Sequence, residues 1–376
     1  MNHSTFKSFT FGIGLFFTLP LVYGNSSSPS SSDGTLYINK SKTHKVAPVK
    51  YGFHYEEIGM MGEGALHAEL IRNRSFEEAT PPAGLSVKNG LYENVPAPRV
   101  KEKKVFQADP LIGWTTYPLS YTPVFISRTD ENPMSGENKY SMLVNVTEDI
   151  ANHPDALILN RGYYGMNLKT DTSYRLSLFL KNRNYSAPLR VFLVDEWGQR
   201  VSNVIEVNVG NRDWTKYTGE LKPEKNVRRG MFAIQPMSKG QFQIDVVSLF
   251  PSDTWNDGKS VFRKDIVQNL KEFSPSFIRF PGGCIVHGVN EETMYHWKKT
   301  LGPIENRPGQ WSKWAPYYRT DGIGYHEFYE LCEYVGADAM YVMPTGMICS
   351  GWVKQSPQWN FRSEERRVGK ECRSRW

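Results

Sequence analysis

The spacing of apolar and polar positions changes twice along the chain. Between about residues 114 and 250, short apolar segments are separated by turn residues, and residues 174–180 (YRLSLFL) show an alternation of apolar and polar side chains. Such alternation is typical of a half-buried strand, because successive side chains point to opposite faces. Several short strands at regular spacing, without a helical period, predict an antiparallel β-sandwich.

From about residue 251 the period lengthens. Residues 263–273 and 322–335 carry apolar side chains on one helical face, and each stretch is followed by a mostly apolar strand, at 277–280 and at 339–343. Parallel strands need crossover connections of about this length, which are usually helices. The order helix, strand, helix, strand therefore predicts parallel βα units.

The segment before residue 114 is less regular. Residues 35–39 and 45–55 are predicted as short strands, and residues 63–76 as one or two helical turns with apolar side chains on one face. Residues 79–98 are rich in Pro and Gly, a composition that predicts a connector.

The N-terminus has the pattern of a secretory signal peptide. Lys7 precedes an apolar run over residues 9–23, and Gly24 supplies a small residue for cleavage. The run is too short, and too interrupted by Gly and Pro, for a membrane-spanning helix. We therefore expect a signal peptide over 1–24, a Ser-rich spacer over 25–34, and a secreted or periplasmic protein with no membrane partner after cleavage.

Composition is that of a globular protein, with 39% hydrophobic and 22% charged residues. The formal net charge is +6, but no basic run is interleaved with aromatic residues, so we expect no nucleic-acid partner. Cys284, Cys332, Cys349 and Cys372 form no CxxC or Cys/His pattern, which predicts no metal site. Buried free thiols are the expectation, although a disulfide stays open.

Two stretches place polar residues at the ends of predicted strands. Glu56 and Glu57 follow the strand predicted over 45–55, and neighbouring side chains on a strand face opposite sides. Such a pair, taken alone, is more often a solvated strand end. Arg279 precedes Pro281-Gly282-Gly283, a sequence that lets the backbone turn sharply and approach a ligand. Asp321 is predicted to cap the helix that follows it.

Five stretches in order resemble glycoside hydrolase family 51, the α-L-arabinofuranosidases: YGFHYEEIG…GALHAELIRNRSFE, DVVSLFPSDTW, SFIRFPGGC, HWKKTLGPIENRPGQW and TDGIGYHEFYELCE. The likeness runs from about residue 50 to 360. Members of this branch are similar in carrying a sandwich like a family 4 carbohydrate-binding module, and residues 160–181 look like part of one. The resemblance implies an α/β plus all-β fold, namely an incomplete (β/α)8 barrel, about its first three strands, with an inserted antiparallel β-sandwich.

The resemblance also implies an organisation of the chain. Residues 35–98 would hold the N-terminal strands, the first barrel strand and the connector, residues 99–250 the sandwich, and residues 251–361 the second and third βα units. Residues 362–376 match none of these patterns. We expect them to be a solvated tail or, as we favour, a stretch outside the natural reading frame.

Four residues take roles from the resemblance. Glu56 matches the glutamate that binds substrate hydroxyls, and Arg279 matches the arginine that supports the active-site carboxylates. Cys284 stands where some branches carry a sugar-contacting Asn and others Cys. Trp297 lies where the family has an aromatic residue near the sugar, and packing of a long loop explains it equally well. No metal and no organic cofactor are implied.

The chain departs from the family at the catalytic glutamates, so no catalytic residue is assigned. The acid/base Glu of the family follows the fourth barrel strand in an Asn-Glu pair, and its nucleophile follows the seventh, whereas Asn290-Glu291 and Glu305-Asn306 lie in neither place. Retaining hydrolysis needs two carboxyl groups about 5–5.5 Å apart, and roughly 160 residues fall in the barrel portion against about 250 in a typical barrel.

We therefore expect a truncated arabinofuranosidase, inactive alone, whose parent enzyme releases terminal arabinofuranosyl groups from arabinose-containing polysaccharides. The alternative is a secreted, non-catalytic glycan-binding protein in which the sandwich binds the glycan. Tyr163 and Trp197 are the aromatic residues on which that alternative depends.

Overall fold

The structure is a computed structural model that describes Ser41 and residues 51–58, 60–78, 86–88, 91–93, 106–107, 109–288, 294–311 and 318–344. The predicted signal peptide, the spacer, the strand at 35–39 and the tail at 362–376 lie outside these residues. The chain divides into two units, Met1–Ala47 and Pro48–Trp376, and the fold given below is that of the second unit.

In chain order the strands are β1 (Gly52–His54), β2 (Ser86–Lys88), β3 (Leu91–Glu93), β4 (Phe106–Gln107), β5 (Trp114–Tyr117), β6 (Val124–Thr129), β7 (Ser141–Val146), β8 (Leu157–Asn160), β9 (Met166–Leu168), β10 (Tyr174–Asn182), β11 (Pro188–Val194), β12 (Ile205–Asn208), β13 (Thr215–Leu221), β14 (Val227–Gln235), β15 (Gly240–Pro251), β16 (Phe277–Phe280), β17 (Gln310–Trp311), β18 (Tyr318–Arg319) and β19 (Asp338–Tyr341). The α-helices are α1 (Lys264–Phe273), α2 (Cys284–His287) and α3 (Tyr325–Val335), and short 3-10 or π turns cover Gly62–Leu66, Ile150–Asn152, Trp297–Thr300 and Ile304–Asn306.

A parallel sheet in the order β1-β16-β19 forms one part of the fold. Helix α1 precedes β16 and helix α3 precedes β19, so the helix–strand alternation predicted from the sequence is present, with bounds shifted by a few residues. Val267 of α1, Ile278 and Phe280 of β16 and Phe328 of α3 are buried in one common core. Among the helices of the described part, none is long and apolar enough to cross a membrane.

Two antiparallel sheets form the two-sheet region (residues 114–251). Their strand orders are β13-β10-β15-β7-β6 and β12-β11-β14-β8-β5, with β9 added beside β14. Leu178 and Phe242 of the first sheet share a core with Val191 and Phe232 of the second. Burying each such side chain is worth about 2 kcal/mol, and the alternation seen in β10 is what directs one face of that strand inward.

The crossing segment (residues 62–78) joins these two parts. Only Gly62–Leu66 is helical there, a single turn where one or two were predicted over residues 63–76, and Glu63 and Gly64 within it have non-helical backbone angles. The backbone instead bonds to its neighbours, with Leu70 N donating to Leu249 O at 3.1 Å. Leu66 is buried in the core of the parallel sheet, whereas Phe76 is buried in that of the two-sheet region. Tertiary hydrogen bonds have replaced the helical ones.

The connector predicted over 79–98 contains regular structure. Strands β2 and β3 pair antiparallel, with Lys88 opposite Leu91, and β4 extends the sheet beside β3. The Asn89-Gly90 dipeptide between them is a strong hairpin signal. Composition alone did not distinguish this hairpin from a loop, because Pro and Gly are common in both.

Candidate functional site

The carboxyl ends of β1 and β16 lie side by side. His54 is in register with Arg279, Tyr55 N donates to Arg279 O at 2.8 Å, and Glu57 N donates to Pro281 O at 3.2 Å. This pairing brings Glu56 against the turn that follows β16. In barrels of parallel strands, ligand sites lie at this end of the strands.

Gly282 is the point at which this turn approaches Glu56. Its φ is +143°, and a Cβ built there would lie 2.4 Å from Glu56 Cγ. No side chain fits at that distance, so the Pro281-Gly282-Gly283 stretch is needed for close approach as well as for turning. Glu56 itself is half-buried, with 17% of its side chain exposed.

Arg279 lies against His54, beside Glu56. Its Nη1 bonds to His54 Nε2 at 2.9 Å, and the same His54 nitrogen lies 3.8 Å from Glu56 Oε2. Because a guanidinium can only donate, the bonded His54 nitrogen must accept, which requires a neutral ring. Partial burial and then the charge of Arg279 lower the pKa of His54, against the opposing effect of Glu56. Arg279 is therefore placed to fix the orientation of the His54 ring next to Glu56.

Cys284 and Trp297 take structural positions near this end of the sheet. Cys284 is half-buried and begins α2 directly after the Gly283 cap. Trp297 is half-buried, and its ring centroid lies 5.1 Å from that of Tyr325 at the start of α3. The packing role that the sequence left open for Trp297 is thus present, and its role beside a sugar stays a prediction.

Glu57 is buried where its neighbour Glu56 is not. It is 7% exposed, and its Oε2 accepts from the Tyr55 hydroxyl at 2.8 Å. A Cβ on Gly62 would lie 2.1 Å from the same oxygen, so only a residue without a side chain can pack against the Glu57 carboxyl group at this position. Burial, followed by the nearby charge of Glu63, raises the pKa of Glu57 to about 7.

Glu63 lies on the crossing segment and has the opposite character. It accepts from Thr320 N at 3.1 Å and from Thr320 Oγ1 at 2.5 Å, and the Tyr163 hydroxyl is 3.4 Å away. Burial pushes the pKa of Glu63 upward, but the hydrogen bond and charge of His67, together with Thr320 and Arg74, lower it to about 2. Glu63 therefore stays ionised, and it links the crossing segment to Thr320 before α3 and to Tyr163 of the two-sheet region.

Asp321 does not cap α3, and that prediction is wrong. The cap residue is Gly324, whose N–H donates to Glu327 Oε2 at 2.9 Å, because the helix begins later than the sequence suggested. Asp321 is buried instead, with Oδ1 3.1 Å from Arg319 Nε. Burial raises the pKa of Asp321 and the charge of Arg319 opposes that change.

These buried groups surround a small cavity of about 10 Å³ beneath the strand ends, with room for about one water molecule. It is lined by Glu57, Glu63, Phe280, Pro281, Tyr295, Arg319, Asp321 and Ile323. Sequence inspection missed this group, and the signal available was a glutamate set between Gly62 and Gly64. The groups around this cavity support the strand ends, and Glu56, whose side chain is 17% exposed, is the carboxyl group that a ligand can reach.

Metal binding has no visible basis in the part of the chain that the structure describes, since no group of three His, Cys, Asp or Glu side chains there could hold an ion.

Comparison with known proteins agrees with the motifs. Residues 269–362 match the family model "Alpha-L-arabinofuranosidase 1 domain". Alpha-L-arabinofuranosidase 1 of Arabidopsis thaliana is 28% identical over 302 residues, which cover 79% of this chain and 40% of that protein. The extracellular exo-alpha-L-arabinofuranosidase of Streptomyces chartreusis is 27% identical, over 78% of this chain and 32% of that protein.

A solved structure gives the same result for the fold. The arabinose-bound MgGH51 α-L-arabinofuranosidase superposes with a TM-score of 0.67 at 24% identity, over 82% of this chain and 46% of that one. The chain thus spans less than half the length of the relatives it matches, and the resemblance seen in the motifs is confirmed over that part.

Proposed function

We propose that this chain, which resembles the α-L-arabinofuranosidases of glycoside hydrolase family 51 over part of its length, belongs to an enzyme that removes terminal arabinofuranosyl groups from arabinose-containing polysaccharides. The observation that carries the proposal is the contact between Glu56 and the turn at Gly282. It unites, at one end of a parallel sheet, the two motifs on which the resemblance depends most.

The architecture fits the same proposal. We take β1, β16 and β19 as the opening strands of a (β/α)8 barrel, and the two-sheet region as an inserted sandwich similar to a carbohydrate-binding module. Strands β1 and β16 are neighbours in the sheet although the two-sheet region separates them in the chain, as an insertion after the first strand requires. Secretion is part of the proposal, and the printed name of the Streptomyces relative includes "extracellular".

Within the site, Glu56 would accept hydrogen bonds from sugar hydroxyls, packed against the turn at Gly282 and next to the Arg279–His54 pair. Glu57 is enclosed by Tyr55 and Gly62, which suits a supporting group rather than one that touches substrate. Retaining hydrolysis uses one carboxyl group as acid/base and another as nucleophile. The family pattern assigns neither role to a residue here, so we assign sugar binding alone to these residues.

The test uses the 376-residue chain itself. Titration calorimetry should detect an arabinofuranosyl oligosaccharide, with tighter binding than its xylosyl counterpart, while hydrolysis of an aryl arabinofuranoside stays at background. Glu56→Gln should weaken arabinofuranosyl binding about tenfold, because one hydroxyl partner loses its charged acceptor. Glu196→Gln, an exposed change on the two-sheet region, is the matched control.

Two results would contradict the proposal. Equal affinity for the arabinofuranosyl and xylosyl ligands, with Glu56→Gln behaving like the control, would show that the strand ends around Glu56 do not form an arabinofuranosyl site. Turnover at ordinary enzyme rates by the 376 residues would refute the assignment of binding alone.

The glycan-binding alternative retains one observation in its favour. Trp197 is 68% exposed on the turn after β11, where Asp195 Oδ1 accepts from the N–H groups of Trp197 and Gln199. A large apolar ring held outward on a rigid turn suits a flat ligand. Tyr163, by contrast, is turned inward to Glu63. Loss of arabinoxylan pull-down in Trp197→Ala, with Glu56→Gln unaffected, would favour this alternative.

A further inference from the structure

A large cleft of about 760 Å³ lies at the seam between the two-sheet region and α1. We call it the seam cleft. The crossing segment from Gly64 to Leu70 lines one side, residues around β9 line the second, and the first turns of α1 line the third. Its size falls within the usual range for small-ligand sites.

Two adjacent tyrosines give the cleft one anchored ring and one free ring. A Cβ on Gly64, whose φ is +74°, would lie 2.5 Å from the ring of Tyr163, so that ring packs directly on the backbone of the crossing segment. The Tyr163 hydroxyl points to Glu63 at 3.4 Å. Tyr164 also lines the cleft and is 79% exposed. The cleft thus has one ring packed on its wall and, at the next residue, one exposed aromatic face.

The opposite wall is polar and carries two cations and one carboxylate. Arg263 and Asp265 form an ion pair with 2.5 Å between Nη2 and Oδ2, and both line the cleft together with Lys264 and the amide of Gln268. Glu69 on the remaining side is buried and already accepts from three groups, Ile71 N, Leu249 N and Ser248 Oγ. Lys169 and Asp253 also line the cleft, so its three cations face three carboxyl groups. A lining without an excess of either sign favours an uncharged ligand over a nucleic acid or an acidic peptide.

We propose that the seam cleft binds a run of neutral oligosaccharide, with one sugar ring against Tyr164 and its hydroxyls bonded to the polar side chains of α1. An exposed aromatic face beside amide, carboxylate and guanidinium groups is the chemistry that a polyhydroxylated, uncharged chain requires. The inference rests on the proposed function, in which this oligosaccharide is the main chain that bears the arabinofuranosyl groups.

The cleft and the strand-end site share the crossing segment. Glu63 bonds to Tyr163 on the cleft side and lines the small cavity beneath the strand ends. A main chain held in the cleft would therefore lie against the same segment that supports Glu57 and the strand ends. This arrangement would align a polysaccharide before its side group enters the site.

The test titrates the 376-residue chain with xylohexaose and, separately, with linear α-1,5-linked arabinohexaose. At least one should bind, and the one that binds identifies the main chain. Tyr164→Ala should weaken that binding about tenfold, and Gln268→Ala, on the opposite wall, should weaken it by a smaller factor. Phe125→Ala is the control, since that ring is 55% exposed and lies outside the cleft, and Trp197→Ala tests the turn after β11 as the competing site. Circular dichroism should show all four variants folded.

The inference is overturned if neither probe binds, or if Tyr164→Ala binds as the wild-type chain does. It is also overturned if Trp197→Ala is the variant that loses affinity, because the ligand then sits on the turn after β11. Failure of the proposed function gives a different result: arabinofuranosyl preference and the Glu56→Gln effect disappear, while main-chain binding keeps its dependence on Tyr164.

Discussion

The carboxyl groups of Glu57 and Glu63 line the same small cavity, and their pKa values are displaced in opposite directions. Both are buried, which raises the pKa of each. Glu63 gains His67, Thr320 and Arg74 as partners that favour its ionised form, whereas Glu57 faces the negative charge of Glu63 itself. One member of the pair keeps its charge, and the other takes up a proton near neutral pH.

Glu57 should therefore make the fold less stable as the pH rises. Its folded pKa of about 7 lies above the ordinary value of 4.5, so its contribution is fully present below about pH 4.5 and is lost as the pH passes 7. Glu57→Gln removes this dependence and keeps an acceptor for Tyr55. We expect the stability of the variant, relative to wild type, to improve by up to about 3 kcal/mol from pH 5 to pH 8.

Urea unfolding at both pH values measures this change, with Glu196→Gln as an exposed control. Parallel curves for Glu57→Gln and the wild-type chain would show that Glu57 is not the titrating group.

Glu63 should have the reverse effect. Its folded pKa of about 2 lies below 4.5, so the stability it contributes is present above about pH 4.5 and is lost as the pH falls toward 2. Glu63→Gln should destabilise the chain by about 2–4 kcal/mol at pH 7, since His67 and Thr320 lose a charged acceptor. The deficit should shrink between about pH 4.5 and pH 3. A deficit that stays constant over this range, measured by thermal unfolding, would argue against an ionised Glu63.

A pair of glycines tests the strand-end contact. Gly282→Ala puts a methyl group 2.4 Å from Glu56 Cγ at a φ of +143°. We expect a loss of about 1–3 kcal/mol of stability and weaker binding of the arabinofuranosyl ligand, because Glu56 must move. Gly283→Ala is the matched control, since its Cβ would meet nothing within 4 Å. Calorimetry on both proteins gives Tm and Kd. Equal values for the two variants would show that the close contact between Gly282 and Glu56 affects neither stability nor binding.

Arg307 provides a prediction about the long loop before α3. Its guanidinium donates to both Glu327 oxygens, at 2.6 and 3.0 Å, and to the carbonyls of Gly302 and Asp321. Lysine cannot reproduce this fork. Arg307→Lys should lower the free energy of unfolding by about 2–4 kcal/mol. Arg263→Lys, in an exposed pair with Asp265, should change it by less than about 1 kcal/mol. Similar losses in both variants would show that the buried contacts of Arg307 stabilise the fold no more than the exposed pair does.

Much of the fold follows from local pattern. The alternation in β10 and the apolar faces of α1 and α3 predict these elements, because burial of one face requires a matching period. The motif order indicates the resemblance that the comparisons confirm. The same local argument failed for the Asp321 cap, because Asp321 is buried against Arg319 and the helix begins later, at the Gly324 cap.

By itself the sequence determined most of the strands and helices and the motifs on which the resemblance depends, since both are set by neighbours along the chain. Only the tertiary structure decided that Arg279 lies against His54, which is 225 residues away, that Glu57 is buried beside Glu63, and that Tyr164 is exposed at a cleft where the Tyr163 hydroxyl is turned to Glu63. Exposure and pKa are set by groups that meet through folding, and spacing along the chain does not specify which groups those are.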